Sequence, residues 1–317
     1  MRTITALFVG LGSIGTRHLK NLANLCADRG WTLQADALRS DLTRPLRPGA
    51  AELLHAQYTA PAAAPAHYDM VFITNPTSLH AEALRQVKGR GEALFIEKPI
   101  FSAEQTGLAL DELLPAGQKA YVAAPMRWCG AMLALKDRLP ALHPYCARVI
   151  CSSYLPDWRP GVDYRTVYSA RKALGGGVTI DLIHEWDYLV ELFGVPEKLY
   201  NFKGTYSELE IDSDDLSVYI AKYPTLLAEV HLDYFGRGYR RSIELFCRDG
   251  SYLADFGAGT LTLPDGTVQH YEEDVNRRYE REMEYFVDYA LTGSGESCNP
   301  PALALNVLKL TLGENVQ

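Results

Sequence analysis

Four short stretches hold the residue types able to grip a phosphate or move a proton. The first is Gly10-Leu11-Gly12-Ser13-Ile14-Gly15. It follows an apolar run, Ile4 to Val9, that reads as a buried strand, and it precedes Thr16 to Leu25, whose spacing is helical. That strand–turn–helix setting is what turns a G-x-G-x-x-G spacing into a dinucleotide site. Gly10 allows the tight turn, Gly12 lets a pyrophosphate approach the backbone, and Gly15 lets the helix pack closely on the strand. Ser13 and Ile14 complete the turn, whose N–H groups face an anion with the positive helix end behind them.

The second stretch, Thr74-Asn75-Pro76-Thr77-Ser78-Leu79-His80, leaves a strand and enters a helix. It therefore falls at the carboxyl edge of the sheet, where open α/β sheets bind ligands. Asn75 and His80 are candidates for contact with a cofactor there; the plain alternative is a helix start capped by Thr77 or Ser78. The third, Glu97-Lys98-Pro99, follows the strand ending at Ile96 and brings a lysine to the same edge. The proline after Lys98 pushes its backbone to an extended conformation. A lysine in a partly desolvated cleft can act as a general acid or base. The fourth is Gly175-Gly176-Gly177-Val178-Thr179-Ile180-Asp181-Leu182-Ile183-His184-Glu185-Trp186-Asp187-Tyr188. On one helix, Leu182, Trp186, Leu189 and Phe193 make an apolar face, while Asp181, His184 and Tyr188 recur on the other side. An aspartate orienting a histidine that shuttles a proton suits that polar face. An ordinary solvated helix face is the competing reading.

These stretches need a scaffold. The chain has 317 residues, enough for two domains with separate cores. It is 47% hydrophobic and 22% charged, as soluble globular proteins are, and no apolar run has membrane-spanning length. A strand pattern begins almost at the first residue, so no signal peptide is visible and the expected location is the cytoplasm. The net charge of -8 argues against nucleic acid as a partner. Six cysteines form no C-x-x-C pair and no zinc-spaced cluster, so neither a disulfide framework nor a metal site is expected.

Up to about residue 122, strands and helices alternate, the pattern of a parallel sheet. The strands are Ile4–Val9, Thr32–Leu38, Met70–Thr74, Ala93–Ile96 and Ala120–Ala123. The helices are Thr16–Leu25, Ala50–Leu54, His80–Val87 and Ala103–Leu114. From residue 123 to 317 the pattern changes. After helix Met132–Leu139 and strand Arg148–Tyr154, a polar and aromatic loop leads to a helix over Val178–Phe193. Strands then succeed one another at Leu199–Thr205, Leu216–Tyr223, Leu226–Phe235, Arg240–Cys247 and Ser251–Asp255. Short turns between them, Asp249-Gly250 among them, predict a large and mostly antiparallel sheet in an α+β domain. Two helices close the chain, the first from Val275 to Leu291, and the last is expected to pack back on the first domain.

Taken together, the residues resemble the glucose–fructose oxidoreductase / inositol dehydrogenase / MocA-like (Gfo/Idh/MocA) oxidoreductases. The likeness runs from the glycine fingerprint through Asn75-Pro76, His80, Glu97-Lys98-Pro99 and Gly175-Gly176-Gly177…Asp181 to Met283-Glu284-Tyr285-Phe286-Val287-Asp288. Glu-Lys-Pro at this distance from the fingerprint is its most specific element. The resemblance implies a Rossmann domain followed by an open-sheet domain, and hydride transfer between a nicotinamide cofactor and a sugar or cyclic polyol carbon. It gives the catalytic roles to Lys98 and Asp181, places Glu97 beside the cofactor, and implies a cis Lys98–Pro99 bond. By the same analogy the chain forms a homo-oligomer, a dimer or tetramer. The family's histidine commonly comes four residues after the aspartate, where this chain has Glu185; here His184 comes after three. The proton relay is thus open between His184 and Glu185. The Asp-Leu-Ile-His-Glu-Trp-Asp-Tyr form is similar to a subgroup linked to nonulosonic-acid and surface-polysaccharide sugars, as is the segment Tyr154 to Arg165.

That segment bears on the substrate. Aromatic faces stack on sugar rings and arginine forks match carboxylates or phosphates. Arg127, Trp158, Arg159, Tyr164 and Arg165 are accordingly the candidate substrate ligands, with an anionic sugar as the expected class. Arginines paired to Asp157 and Asp163 in an exposed loop are the alternative. Cofactor choice turns on the end of the second strand, Ala35-Asp36-Ala37-Leu38-Arg39-Ser40-Asp41. Arg39 and Ser40 favour the 2′-phosphate of NADP(H), while Asp36 and Asp41 keep NAD(H) open. Two rival functions share this fold: a nucleotide-sensing regulator without turnover, and an NAD-retaining enzyme that cleaves glycosidic bonds. Intact Lys98 and Asp181 count against the first.

Overall fold

The computed structural model describes residues 2–316 and separates into two compact units. One holds the chain up to Ala123 and again Tyr279–Leu305; the other holds Ala124–Arg278 and the residues from Asn306 on.

The first unit begins β1 (Thr3–Val9), α1 (Ser13–Asp28), β2 (Thr32–Leu38), β3 (Leu54–Tyr58), β4 (Tyr68–Ile73), α2 (His80–Gln86), β5 (Gly91–Ile96), α3 (Leu110–Leu113) and β6 (Lys119–Val122). Its six strands lie in the order β3-β2-β1-β4-β5-β6, all parallel. Strand order reverses between β1 and β4, and a crevice at such a switch point is where these sheets take ligands. Continuous apolar runs such as Ala6 to Val9 and Val71 to Ile73 suit strands covered on both faces, and those residues are buried. Two expected helices are absent. Ala50–Leu54 is a single 3-10 turn at Ala51–Leu53, and Leu54–Tyr58 forms an edge strand whose burial alternates residue by residue. Ala103–Leu114 breaks into a 3-10 turn, boxed by Ser102 and Gln105, and the four-residue α3. Gly107 lies between them, and glycine inside a helix costs about 1 kcal/mol relative to alanine.

The second unit contains α4 (Gly130–Arg138), β7 (Cys146–Tyr154), α5 (Val178–Asp181), α6 (His184–Phe193), β8 (Lys198–Gly204), β9 (Leu216–Lys222), β10 (Leu227–Asp233), β11 (Phe235–Cys247), β12 (Gly250–Asp255), β13 (Thr260–Thr262) and β14 (Val268–His270). The eight strands are ordered β14-β13-β12-β11-β7-β10-β9-β8, and only β7 and β10 pair in parallel. One face is apolar and covered: Trp186 of α6 meets Tyr219 of β9 edge-on at 5.2 Å. The expected helix Val178–Phe193 is two helices. At the break the backbone tightens to i→i+3 bonds, Ile183 N–H to Ile180 and Glu185 N–H to Leu182.

The chain closes with α7 (Val275–Thr292) and α8 (Pro301–Thr311), and most of α7 belongs to the first unit. Phe286 from α7 packs edge-on against Phe72 and Phe95, at 5.4 and 5.1 Å, beside the stacked Phe8–Phe72 pair. The Tyr121 hydroxyl donates to Glu282 at 2.8 Å within that core. No helix among the described residues is long and apolar enough to cross a membrane. Nor is any group of three or more His, Cys, Asp and Glu placed to hold a metal ion among them.

Candidate functional site

The glycine turn joins β1 to α1. Gly10 has φ +88°, and a Cβ there would lie 2.8 Å from the Asn75 backbone. A Cβ on Gly15 would meet the Gly10 carbonyl and the Thr74 hydroxyl at 2.6 Å. Both positions are thus closed by the protein itself. Gly12 differs: nothing lies within 4 Å of its virtual Cβ, it is exposed, and it caps α1 with no side-chain hydrogen bond. No acidic residue occupies the first turn of α1. The helix end therefore offers open N–H groups and positive potential to an anion. Nearby, the buried Oδ1 of Asn75 has no protein partner, while its Nδ2 donates to Leu79. These features fit a dinucleotide pyrophosphate.

Lys98 follows β5, half-buried, with a cis bond to Pro99. The Glu97 side chain fixes this corner. Its Oε1 lies 2.6 Å from Nε2 of His18 on α1, and its Oε2 accepts from the Lys98 N–H at 3.0 Å. Burial opposes ionisation of Glu97, yet the His18 hydrogen bond and the Lys98 charge hold it below the ordinary carboxylate range. Glu97, expected beside the cofactor, has one oxygen engaged by His18 and the other by the Lys98 N–H. His80 is likewise held within the protein. It is buried, with Nδ1 3.1 Å from the Ile100 carbonyl and Nε2 3.0 Å from that of Asn75, so it ties two loops together.

At the end of β2, Arg39 donates to Gln57 at 2.7 Å and to the Arg44 carbonyl at 2.5 Å. Arg39, Arg44, Arg47 and Gln57 line a cavity of about 430 Å³. Ser40 is exposed beside Arg39. Asp36, one acidic alternative, is buried and accepts from the Tyr68 hydroxyl at 2.8 Å. Asp41 accepts from the Thr43 backbone and hydroxyl in a local turn.

In the second unit the triple glycine admits two other loops. A Cβ on Gly176 would sit 2.0 Å from the Tyr168 carbonyl, and one on Gly177 would sit 2.3 Å from the Asp214 carboxylate. Asp214 uses that room to cap α5, accepting from the Thr179 N–H at 2.9 Å. Asp181, at the last turn of α5, is nearly buried. Its two oxygens accept from the hydroxyls of Tyr168 at 2.6 Å and Tyr234 at 2.5 Å. His184 opens α6, half-buried, three residues on. The break between α5 and α6 removes the continuous polar face expected of Asp181, His184 and Tyr188, and Tyr188 is fully buried. Glu185 was the other candidate for the relay. It is completely buried and paired to Arg241 at 2.7 Å.

Residues 4–123 match the GFO_IDH_MocA model, described as an oxidoreductase family with an NAD-binding Rossmann fold. Residues 4–123 are thus similar to the NAD-binding domain of that family. No curated protein matches the chain in sequence. Solved structures share the fold over nearly the whole length. Levoglucosan dehydrogenase in complex with NADH and levoglucosan has a TM-score of 0.82 at 15% identity, covering 98% of this chain and 96% of that one. Myo-inositol 2-dehydrogenase from Lactobacillus plantarum gives 0.75 at 19%, with 98% and 96% covered. UDP-N-acetylglucosamine 3-dehydrogenase from Acidithiobacillus ferrooxidans gives 0.72 at 18%, with 99% and 97% covered.

Of the expected substrate ligands, two are engaged within the second unit. Arg127 is buried and forks onto Asp187 at 2.8 Å while reaching Glu191 at 2.6 Å. Arg165 is paired to Asp163 at 2.9 Å and Glu210 at 3.0 Å. An arginine's type carries no sign of whether a carboxylate from a neighbouring element will claim it. Trp158 donates to Ser153 at 3.0 Å and stands edge-on to Tyr234 at 5.2 Å, remaining 37% exposed. Arg159 lies 5.8 Å over the Tyr168 ring, and the Tyr164 hydroxyl accepts from the Glu210 N–H. Missed altogether were His18 and Tyr234, which pattern alone presents as ordinary core residues.

Proposed function

We propose that this chain is an NAD(P)-dependent dehydrogenase moving a hydride between nicotinamide and a hydroxyl- or ketone-bearing carbon of a sugar or sugar acid. The observation that carries the reading is the open Gly12 turn at the uncapped head of α1. The backbone N–H groups of that turn would hold the pyrophosphate. Bound nicotinamide supplies the hydride chemistry. Lys98 gives or takes the hydroxyl proton, and Asp181 with His184 holds and relays it. NADP(H) is the preferred cofactor: Ser40 is exposed and Arg39 half-buried after β2, whereas Asp36 is buried and spoken for. Trp158, Arg159 and Tyr164 are retained as sugar contacts. The three dehydrogenases whose fold it shares are named for sugars or a cyclic polyol, which supports that substrate class. The proposed setting is cytoplasmic, as a homo-oligomer, with no nucleic-acid or membrane partner.

Fluorescence titration with NADPH and with NADH tests this. NADPH binds about tenfold or more tighter, since a charge-assisted hydrogen bond contributes about 1.5–3 kcal/mol. Gly12→Ala abolishes binding of both while leaving the melting temperature unchanged, because the protein itself has room for the methyl. Lys98→Ala keeps nucleotide affinity and loses turnover by about 10²–10⁴, the usual scale for a general acid–base group. Failure of the unaltered protein to bind either nucleotide overturns the reading.

A further inference from the structure

We infer that Tyr168 and Tyr234 are positioning residues for Asp181, holding its carboxylate in one orientation from two sides; this rests on the reading of Asp181 as part of the proton relay. The two phenols come from separate places, Tyr168 from the loop before the triple glycine and Tyr234 from the link between β10 and β11. Each takes one oxygen of Asp181, at 2.6 and 2.5 Å. Desolvation of the hydroxyls and the neighbouring Asp181 charge push both phenols above their ordinary titration range. The protons therefore stay on the tyrosines, which donate and never compete as bases. A nearly buried carboxylate is costly unless its oxygens are hydrogen-bonded, and short charge-assisted bonds are the strong ones.

The clamp is itself held. Tyr234 is fully buried, its N–H bonded to the Asp215 carbonyl at 2.9 Å, its carbonyl accepting from Leu155, and its ring against Trp158. Tyr168 reaches Asp181 because Gly176 leaves its carbonyl room, the contact a Cβ would occupy at 2.0 Å. At 44% exposed, Tyr168 is also the open side of the clamp. Gly175-Gly176-Gly177 is thus tied to Tyr168 as well as to the start of α5. A carboxylate fixed from both sides cannot swing, and a proton relay works best when its members are already oriented.

The test uses the full-length enzyme, NADP⁺ and NAD⁺, and glucuronate, galacturonate and N-acetylneuraminate as probe substrates. Tyr168→Phe and Tyr234→Phe each lower kcat by about 10- to 100-fold, the worth of one charge-assisted hydrogen bond. KM and NADPH affinity stay within about twofold, a split that a merely structural role would not give. In an Asp181→Asn background the same changes cost less than about twofold more, because the tyrosines act through Asp181. Tyr168→Phe decides the matter should the buried Tyr234 variant fail to fold. Normal kcat in Tyr168→Phe, with Asp181→Asn inactive, overturns this inference alone. Full activity in Asp181→Asn overturns the parent reading, as does absence of turnover by the unaltered enzyme with every probe, and the inference falls with it.

Discussion

Glu97 carries the clearest acid-dependent term in the first unit. Its carboxyl titrates below its ordinary value of 4.5 because the His18 bond and the Lys98 charge outweigh the opposing effect of burial. A carboxyl lowered in the folded state stabilises fully above its unfolded value and loses that contribution as pH falls through the folded one. Glu97→Gln is therefore expected to cost about 1–3 kcal/mol at pH 7, where one partner of a buried charged bond is lost. In thermal melts from pH 7 to pH 3, the gap between wild type and Glu97→Gln should close below pH 4.5; a gap that stays constant contradicts the assignment. At this scale much was legible. The glycines, Lys98 and Asp181 announce themselves by local spacing. His18 and Tyr234 do not, since their partners lie 79 and 53 residues away. Arg127 misleads for the converse reason: its carboxylates come from α6, 60 residues on.

Among the elements, α5 shows how little a four-residue helix can rely on itself. Nucleating one turn is unfavourable, so packing and caps must hold it. Asp214 supplies the cap from a loop 35 residues away, through the Thr179 N–H and hydroxyl. Asp214→Ala should lower stability by about 1 kcal/mol, within the usual 0.5–2 for a lost cap, and Asp214→Asn should recover most of it. The urea midpoint measures both. The parallel sheet and the alternation of the first half follow from periodicity, because buried parallel strands are long apolar runs. The α5–α6 break did not, as both halves keep the same helical spacing and only i→i+3 bonds mark the join. β3 is absent from the expected strands because its alternation spans just Leu54–Tyr58. β13 and β14, at three residues each, are too short to carry a pattern.

For the whole molecule, the path of the chain matters more than any one element. The first unit is discontinuous, and its core is completed by Met283, Phe286, Val287 and Ala290 of α7, all buried. Phe286→Ala should therefore cost about 3–5 kcal/mol, as deletion of a buried phenylalanine does. The loss should fall on the nucleotide-binding unit although the change lies far down the sequence. Differential scanning calorimetry with and without saturating NADPH checks it. A melting temperature unaffected by the substitution would show that the sheet does not depend on α7.

The same route has a consequence during synthesis. A ribosome adds roughly 5–20 residues per second, so residues 124–278 occupy on the order of ten seconds between the last strand of the first sheet and the helix that seals it. Throughout that interval the face of Phe72, Phe95 and Tyr121 waits uncovered on the nascent chain. Most of the second unit is made in between, and its own last segment, from Asn306 on, follows later still. The yield of this protein in a cell should therefore depend on how well that waiting surface is sheltered.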